Sequence, residues 1–146
     1  MAKFKSTPPS TSVQDYLKAI LILQEAGVEA STSKVCVTIG HVPASVTGMF
    51  KRLAELDLVT YTPYNGVRLT PTGEQLARKV LRAHRLLELY LVQQVGFEAN
   101  QVHSEAEAME HAISDEFIDC INVLLGAPRV GVHGESIPQP NIQNGV

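Results

Sequence analysis

The stretch HSEAEAMEH, His103 to His111, packs two histidines and three glutamates into nine residues. On a helix, at about 100° per residue, His103, Glu107, Glu110 and His111 fall within an arc of about 100°, because neighbours three and four apart share a face. Carboxylates and imidazoles facing one way repel or compete unless a cation sits among them. A second pair precedes them: HRLLE puts His84 and Glu88 four residues apart on one helical face. Asp15, just before an apolar stripe that begins at Tyr16 and Leu17, is a further contributor at the edge of a core. Two helices that each present carboxylate and imidazole inward make a metal site in a small bundle. The donors are oxygen and imidazole nitrogen without thiolate, a set that suits Mn²⁺ or Fe²⁺ and, less selectively, Zn²⁺, Co²⁺ or Ni²⁺. Glu105 reads as a solvated helix residue and His133, in a Gly-rich tail, as a loop residue.

These groups need helices to hold them, and the spacing predicts several. Residues 1–9 read as a loose tail. STSVQDYLKAILILQEAG follows with apolar residues at Val13, Leu17, Ile20 and Leu21, a Ser/Thr start and a stop at Gly27. STSKVCVTIG repeats the pattern in miniature, with Ser31 or Thr32 as cap and Gly40 as stop. In HVPASVTGMFKRLAELDLV, Pro43 suits the first helical position, and Val46, Met49, Phe50, Leu53 and Leu56 form one face. Short helix, Gly-containing turn and second helix make a helix-turn-helix. Leu58–Tyr61 and Val67–Leu69 are β-prone around an Asn65-Gly66 hairpin signal, which adds a wing. A long helix opens at Pro71 or Thr72 and stops at Gly96. Another runs from about Gln101 to Ile113, and Ser114 caps a last one in SDEFIDCINVLLG. The Gly/Pro-rich end, APRVGVHGESIPQPNIQNGV, reads as irregular, and no internal repeat is present.

The chain has 146 residues, enough for one domain or two small ones sharing a core. It is 45% hydrophobic and 18% charged, the balance of an ordinary globular protein. No apolar run approaches the roughly 18 residues that span a bilayer. MAKFKSTPPS has no apolar segment behind its lysines, so it does not read as a secretory signal, and a cytoplasmic location is expected. Cys36 and Cys120 lie within apolar helical patterns and read as two buried thiols more readily than as one disulfide.

The net charge of −3 conceals an asymmetry. Residues 1–82 hold ten Lys/Arg against six Asp/Glu, a net +4, whereas residues 83–146 hold two against nine, a net −7. A basic half can meet polyanions and an acidic half can hold cations. In the basic half, the second helix of the helix-turn-helix would enter the major groove with its N-terminal part. Pro43, Ala44, Ser45 and Thr47 are small there and allow close approach to base edges. Thr32, Ser33 and Lys34, with Ser31, could hold a phosphate at the preceding helix start. Lys51, Arg52 and the wing residue Arg68 would add phosphate contacts. A half this mildly basic should bind DNA with moderate affinity per subunit and work as a dimer.

The segments DYLKAI, VPASVTGMFKRLAELDLVTYTPYNGVRLTPTGE, AHRLLE and VHSEAEAMEHAISDE, in this order, resemble the DtxR/MntR family of metal-dependent transcriptional repressors over about residues 10–138. The resemblance implies a mostly α fold: an N-terminal winged helix-turn-helix (1–74), then an all-helical dimerisation and metal-binding domain (75–146) with the irregular tail. It implies a homodimer on a palindromic double-stranded operator. It also implies a primary metal site of Asp15, Glu107, Glu110 and His111, and an ancillary site of His84, Glu88 and His103. The family's iron branch usually has Met and Cys where Asp15 and Glu107 stand. The manganese branch has Asp and Glu, so Mn²⁺ is favoured and Fe²⁺ second, as hard oxygen donors in place of sulfur also argue. Lys18 stands where the manganese branch's two-metal site uses a Glu, and a charged lysine cannot ligate, while His103 keeps the iron-type ancillary set intact. VHGESIP is loosely similar to the family's PHGxPIP segment, and the chain corresponds to the two-domain form, without the SH3-like third domain of longer members.

Two other classes use parts of the same residues. A helical dimetal-carboxylate enzyme would use the Glu/His pairs but leave the basic winged helix idle. A metal-free, small-ligand-responsive winged-helix regulator would keep the wing and ignore chelators.

Overall fold

A computed structural model describes residues 9–140; the expected loose tail at residues 1–9 falls almost wholly outside them. Residues up to Ala77 form one compact unit and residues from Arg78 a second.

In the first unit, α1 (Thr11–Glu25), α2 (Thr32–Ile39) and α3 (Pro43–Glu55) lead into β1 (Val59–Thr62) and β2 (Gly66–Leu69). Ser10 caps α1 by accepting the Val13 N–H, and Ser31 caps α2 by accepting that of Lys34. Gly40 ends α2 in the left-handed conformation, φ 79°, where no Cβ penalty applies. Val13, Tyr16, Leu17, Ile20 and Leu21 of α1, Val35 of α2 and Val46, Phe50 and Leu53 of α3 bury together with Leu58, Val59 and Val67. Leu56 does not join them. It is the C-cap of α3 and half exposed, at the point where the chain leaves the helix.

The wing pairs Val59 with Leu69 and Thr62 with Gly66, antiparallel. Its loop is three residues, Pro63-Tyr64-Asn65, rather than a two-residue Asn-Gly turn. Asn65 donates to the Thr62 carbonyl at 3.0 Å, and the left-handed residues are Tyr64 (φ 72°) and Gly66 (φ 89°). β2 is held on its far side as well, where Val67 donates to Ala30. Leu69 also donates to the Gln24 side chain.

α4 (Pro71–Tyr90) begins at Thr70, whose hydroxyl accepts the Gly73 N–H. A Cβ built on Gly73 would lie 1.9 Å from the Leu58 carbonyl oxygen, backbone that cannot step aside. Gly73→Ala is therefore expected to destabilise the protein by about 1–3 kcal/mol, read as a lower urea midpoint at unchanged slope. An unaltered midpoint would show that this junction yields.

In the second unit the chain leaves α4 through one π-helical turn, Leu91–Val95, closed by left-handed Gly96. α5 (Val102–Glu110) and α6 (Asp115–Leu124) follow, the latter capped by Ser114, which accepts from Phe117. Ala83, Leu86, Leu87, Leu89, Leu91, Val102, Ala106, Ile118, Ile121 and Ile137 form its core. Ile137 comes from the segment expected to be irregular. That segment is indeed without helix or strand, and it folds back on itself: Gly131 donates to Glu135 and Ile137 to Arg129. Buried Arg82 and Arg85 of α4 donate to the carbonyls of Pro138 and Ser136.

Both cysteines are free. Cys36 is half-buried and Cys120 exposed, so the expectation of two buried thiols fails. α6 carries apolar side chains on its outer side too, with Phe117, Val123 and Leu124 at 44, 77 and 59% exposure. Among the described residues no helix is long and apolar enough to cross a membrane.

Candidate metal centre and nucleic-acid interface

The second half of α4 is buried on every side from Val80 to Leu89. A helix covered all round should be apolar, yet this one carries Arg82, His84, Arg85 and Glu88. Such groups stay inside only when paired or hydrogen-bonded. The two arginines use backbone carbonyls, as above. His84 and Glu88 use one another and α5: His84 Nε2 lies 3.2 Å from Glu88 Oε1 and 3.1 Å from His103 Nδ1. One donor atom from each of His84, Glu88 and His103 lies within 4.8 Å of the others, so the structure brings together the whole triplet expected as the ancillary site.

The other ring nitrogen of His84, Nδ1, meets Glu110 Oε2 at 2.6 Å. Glu110 is buried, and its second oxygen lies 3.4 Å from His111 Nε2. His84 is thus shared by residues of both expected sites. Glu107 is half exposed and points its Oε1 at His103 Nε2, 3.2 Å away. Asp15, on α1 of the first unit, is half-buried, and Lys18 one turn later is buried.

His133 lies in a loop, as expected, and the turn at 131–134 also brings its Nε2 to 3.3 Å from Glu88 Oε2, a contact that the sequence does not announce. The VHG spacing, a histidine between glycines, signals only a segment able to reverse. Burial pushes the Glu88 carboxyl up, and this is the largest single influence. The hydrogen bond from His84 and the charges of His84, His133 and His103 outweigh it together, so the net shift is downward. The carboxylate therefore stays ionised although buried, the form in which it ligates.

The donor set fits a divalent transition ion: two buried carboxylates, imidazoles on either side and no sulfur. Each of the two buried carboxylates meets His84, Glu88 at Nε2 and Glu110 at Nδ1, so a buried negative charge stands on either side of one imidazole.

In the first unit, α3 begins without a side-chain cap, since Val42 offers none, and Pro43 at the first position has no N–H. The remaining free amides of its first turn stand at the positive end of a helix dipole, open to an anion. Pro43, Ala44 and Ser45 are exposed and Thr47 is partly so. At the start of α2, Ser33 and Lys34 are exposed and Thr32 is partly so; Lys51, Arg52 and Arg68 are exposed. Every residue expected to touch DNA thus reaches solvent, while the intervening Val46 and Phe50 face the core.

Comparison with known proteins places this geometry. Residues 10–67 match the model described as "Iron dependent repressor, N-terminal DNA binding domain". Residues 70–139 match "Iron dependent repressor, metal binding and dimerisation domain". An uncharacterized HTH-type transcriptional regulator of Methanocaldococcus jannaschii is 33% identical over 80% of this chain and 94% of its own. The HTH-type transcriptional regulator MntR of Lysinibacillus sphaericus is 31% identical over 80% of this chain and 84% of its own. A solved manganese-dependent transcriptional repressor, in complex with manganese, superposes with a TM-score of 0.81 at 38% identity. The match covers 87% of this chain and 58% of that one, so the present chain spans less than two thirds of that relative's length. Both halves match in order and relatives exceed 30% identity over most of their length, so the chain belongs to the iron-dependent repressor family, the DtxR/MntR metal-dependent transcriptional regulators.

Proposed function

We propose that this chain is a manganese-responsive repressor that binds a palindromic operator in the cytoplasm as a homodimer, with Fe²⁺ as the second choice of ion. The observation that carries the metal reading is the cluster of buried His84, Glu88 and Glu110, met at its solvent edge by exposed His103. Its oxygen-rich chemistry favours Mn²⁺, and solved relatives titled as manganese-dependent and as a manganese regulator support the choice. The family is one of transcriptional regulators, so the dimetal-carboxylate enzyme falls away, and nothing favours a metal-free regulator.

His84, Glu88 and His103, joined by His133 through Glu88, would hold an ancillary ion. Glu107, Glu110 and His111 would hold the primary ion, with Asp15 as the donor contributed by the DNA-binding half. A bound ion supplies the positive charge that clustered carboxylates lack. Donors drawn from both halves make one arrangement of the chain better at binding metal. If that arrangement also binds DNA better, metal and operator tighten each other by the same factor. The outer side of α6, with Phe117, Val123 and Leu124, supports pairing of subunits through the second half.

The test uses a duplex selected by the wild-type protein from a randomised library in Mn²⁺. Chelation is expected to weaken binding to it by about 5- to 150-fold, the usual span of such couplings, and added Mn²⁺ should restore it. Binding indifferent to EDTA would reject the metal-dependent mechanism.

A further inference from the structure

α1, α2 and α6 each start at a serine whose hydroxyl accepts a backbone N–H. α3 does not, and its entry turn consists of left-handed Gly40, His41 and an uncapping Val42. His41 is exposed, yet its Nδ1 lies 2.8 Å from the hydroxyl of Tyr16, and the two rings stand 5.7 Å apart, tilted by 51°. Tyr16 is 2% exposed and sits in α1, twenty-five residues earlier. A buried phenol needs a hydrogen-bond partner, and as a neutral phenol it can donate to the imidazole lone pair.

We propose that Tyr16 is a positioning residue for DNA reading: its hydroxyl anchors His41, and so holds the turn that aims Pro43–Thr47. The bond leaves the first-turn amides of α3 free and instead fixes the turn before the helix, from outside the local sequence. Tyr16 directly follows Asp15, so the same bond ties the helix bearing a proposed metal donor to the helix proposed to read DNA. The inference rests on the reading that Pro43–Thr47 meet DNA.

Tyr16→Phe removes only the hydroxyl and leaves the buried ring. With the selected duplex and saturating Mn²⁺, it is expected to lose about 2- to 10-fold in DNA affinity, the net worth of one hydrogen bond. His41→Ala should lose a similar factor, and the double variant no more than either single one. Mn²⁺ affinity without DNA should stay at the wild-type value. Wild-type DNA affinity in Tyr16→Phe, or multiplicative losses in the double variant, would overturn the proposal. Amide hydrogen exchange without DNA gives an independent reading. Exchange at residues 41–47 should speed up in Tyr16→Phe with the rest of α1–α3 unchanged, and unchanged exchange there would also overturn it. If the wild type selects no duplex, the DNA-reading assignment fails, while exchange still decides whether Tyr16 holds the turn.

Discussion

Glu110→Gln is expected to lower Mn²⁺ affinity by more than about 100-fold, beyond the 10- to 100-fold that loss of a ligand's supporting partner costs. The substitution keeps the shape of a fully buried side chain and removes only its charge. Its remaining carbonyl oxygen can still accept from His84 Nδ1, now 2.6 Å from Oε2, so the fold should survive. The amide nitrogen offers donors where a cation needs lone pairs. Metal-stimulated binding to the selected duplex should vanish at ion concentrations that saturate the wild type. Glu107→Ala should abolish the same stimulation without unfolding, because its side chain is half exposed and supports no core. Titration calorimetry with Mn²⁺ and anisotropy of the labelled duplex measure both. Wild-type values in both variants would remove these residues from the ligand set.

Saturating Mn²⁺ is expected to raise the unfolding temperature markedly. Binding to the folded state alone stabilises by about 2.7 kcal/mol at one hundred times Kd and about 4.1 kcal/mol at one thousand times. For a unit of this size each kcal/mol moves the midpoint by about 4–8 °C. A shift of ten degrees or more should follow, and His84→Ala should erase most of it. His84 touches Glu88, His103 and Glu110 together, so its loss leaves two buried carboxylates without their common partner. Scanning calorimetry with and without the ion checks this. A midpoint that ignores Mn²⁺ would mean that the cluster is a structural polar network and nothing more.

What could be read from sequence was local. Ser10, Ser31 and Ser114 announce three helix starts, and Gly40 and Gly96 two ends, because capping depends on residues a few positions apart. The four-residue spacing of His84 and Glu88 was legible for the same reason. What failed was what depends on the chain's return. Glu110 lies 26 residues from His84, and no periodicity links them. His133 reaches Glu88 across 45 residues through a turn whose hydrogen bonds are set by Arg82 and Arg85 holding the segment beyond it. The π-helical turn after Tyr90 changes winding without changing composition, so Gly96 marked the end but not the manner. Asn65-Gly66 marked the hairpin, but the left-handed geometry fell on Tyr64, since a three-residue loop suits this pairing register. Cys120 was misjudged because α6 is apolar on two sides, and only one of them faces the core of its own unit.

His84 has one ring nitrogen toward Glu110 and the other toward Glu88 and His103. A neutral imidazole has a single proton to give, so whichever nitrogen keeps it leaves the opposite one as the lone pair. Filling one position therefore dictates the tautomer seen by the other. If both proposed positions take ions, filling one is expected to change the affinity of the other through this shared ring, so their occupancy curves should be coupled rather than independent.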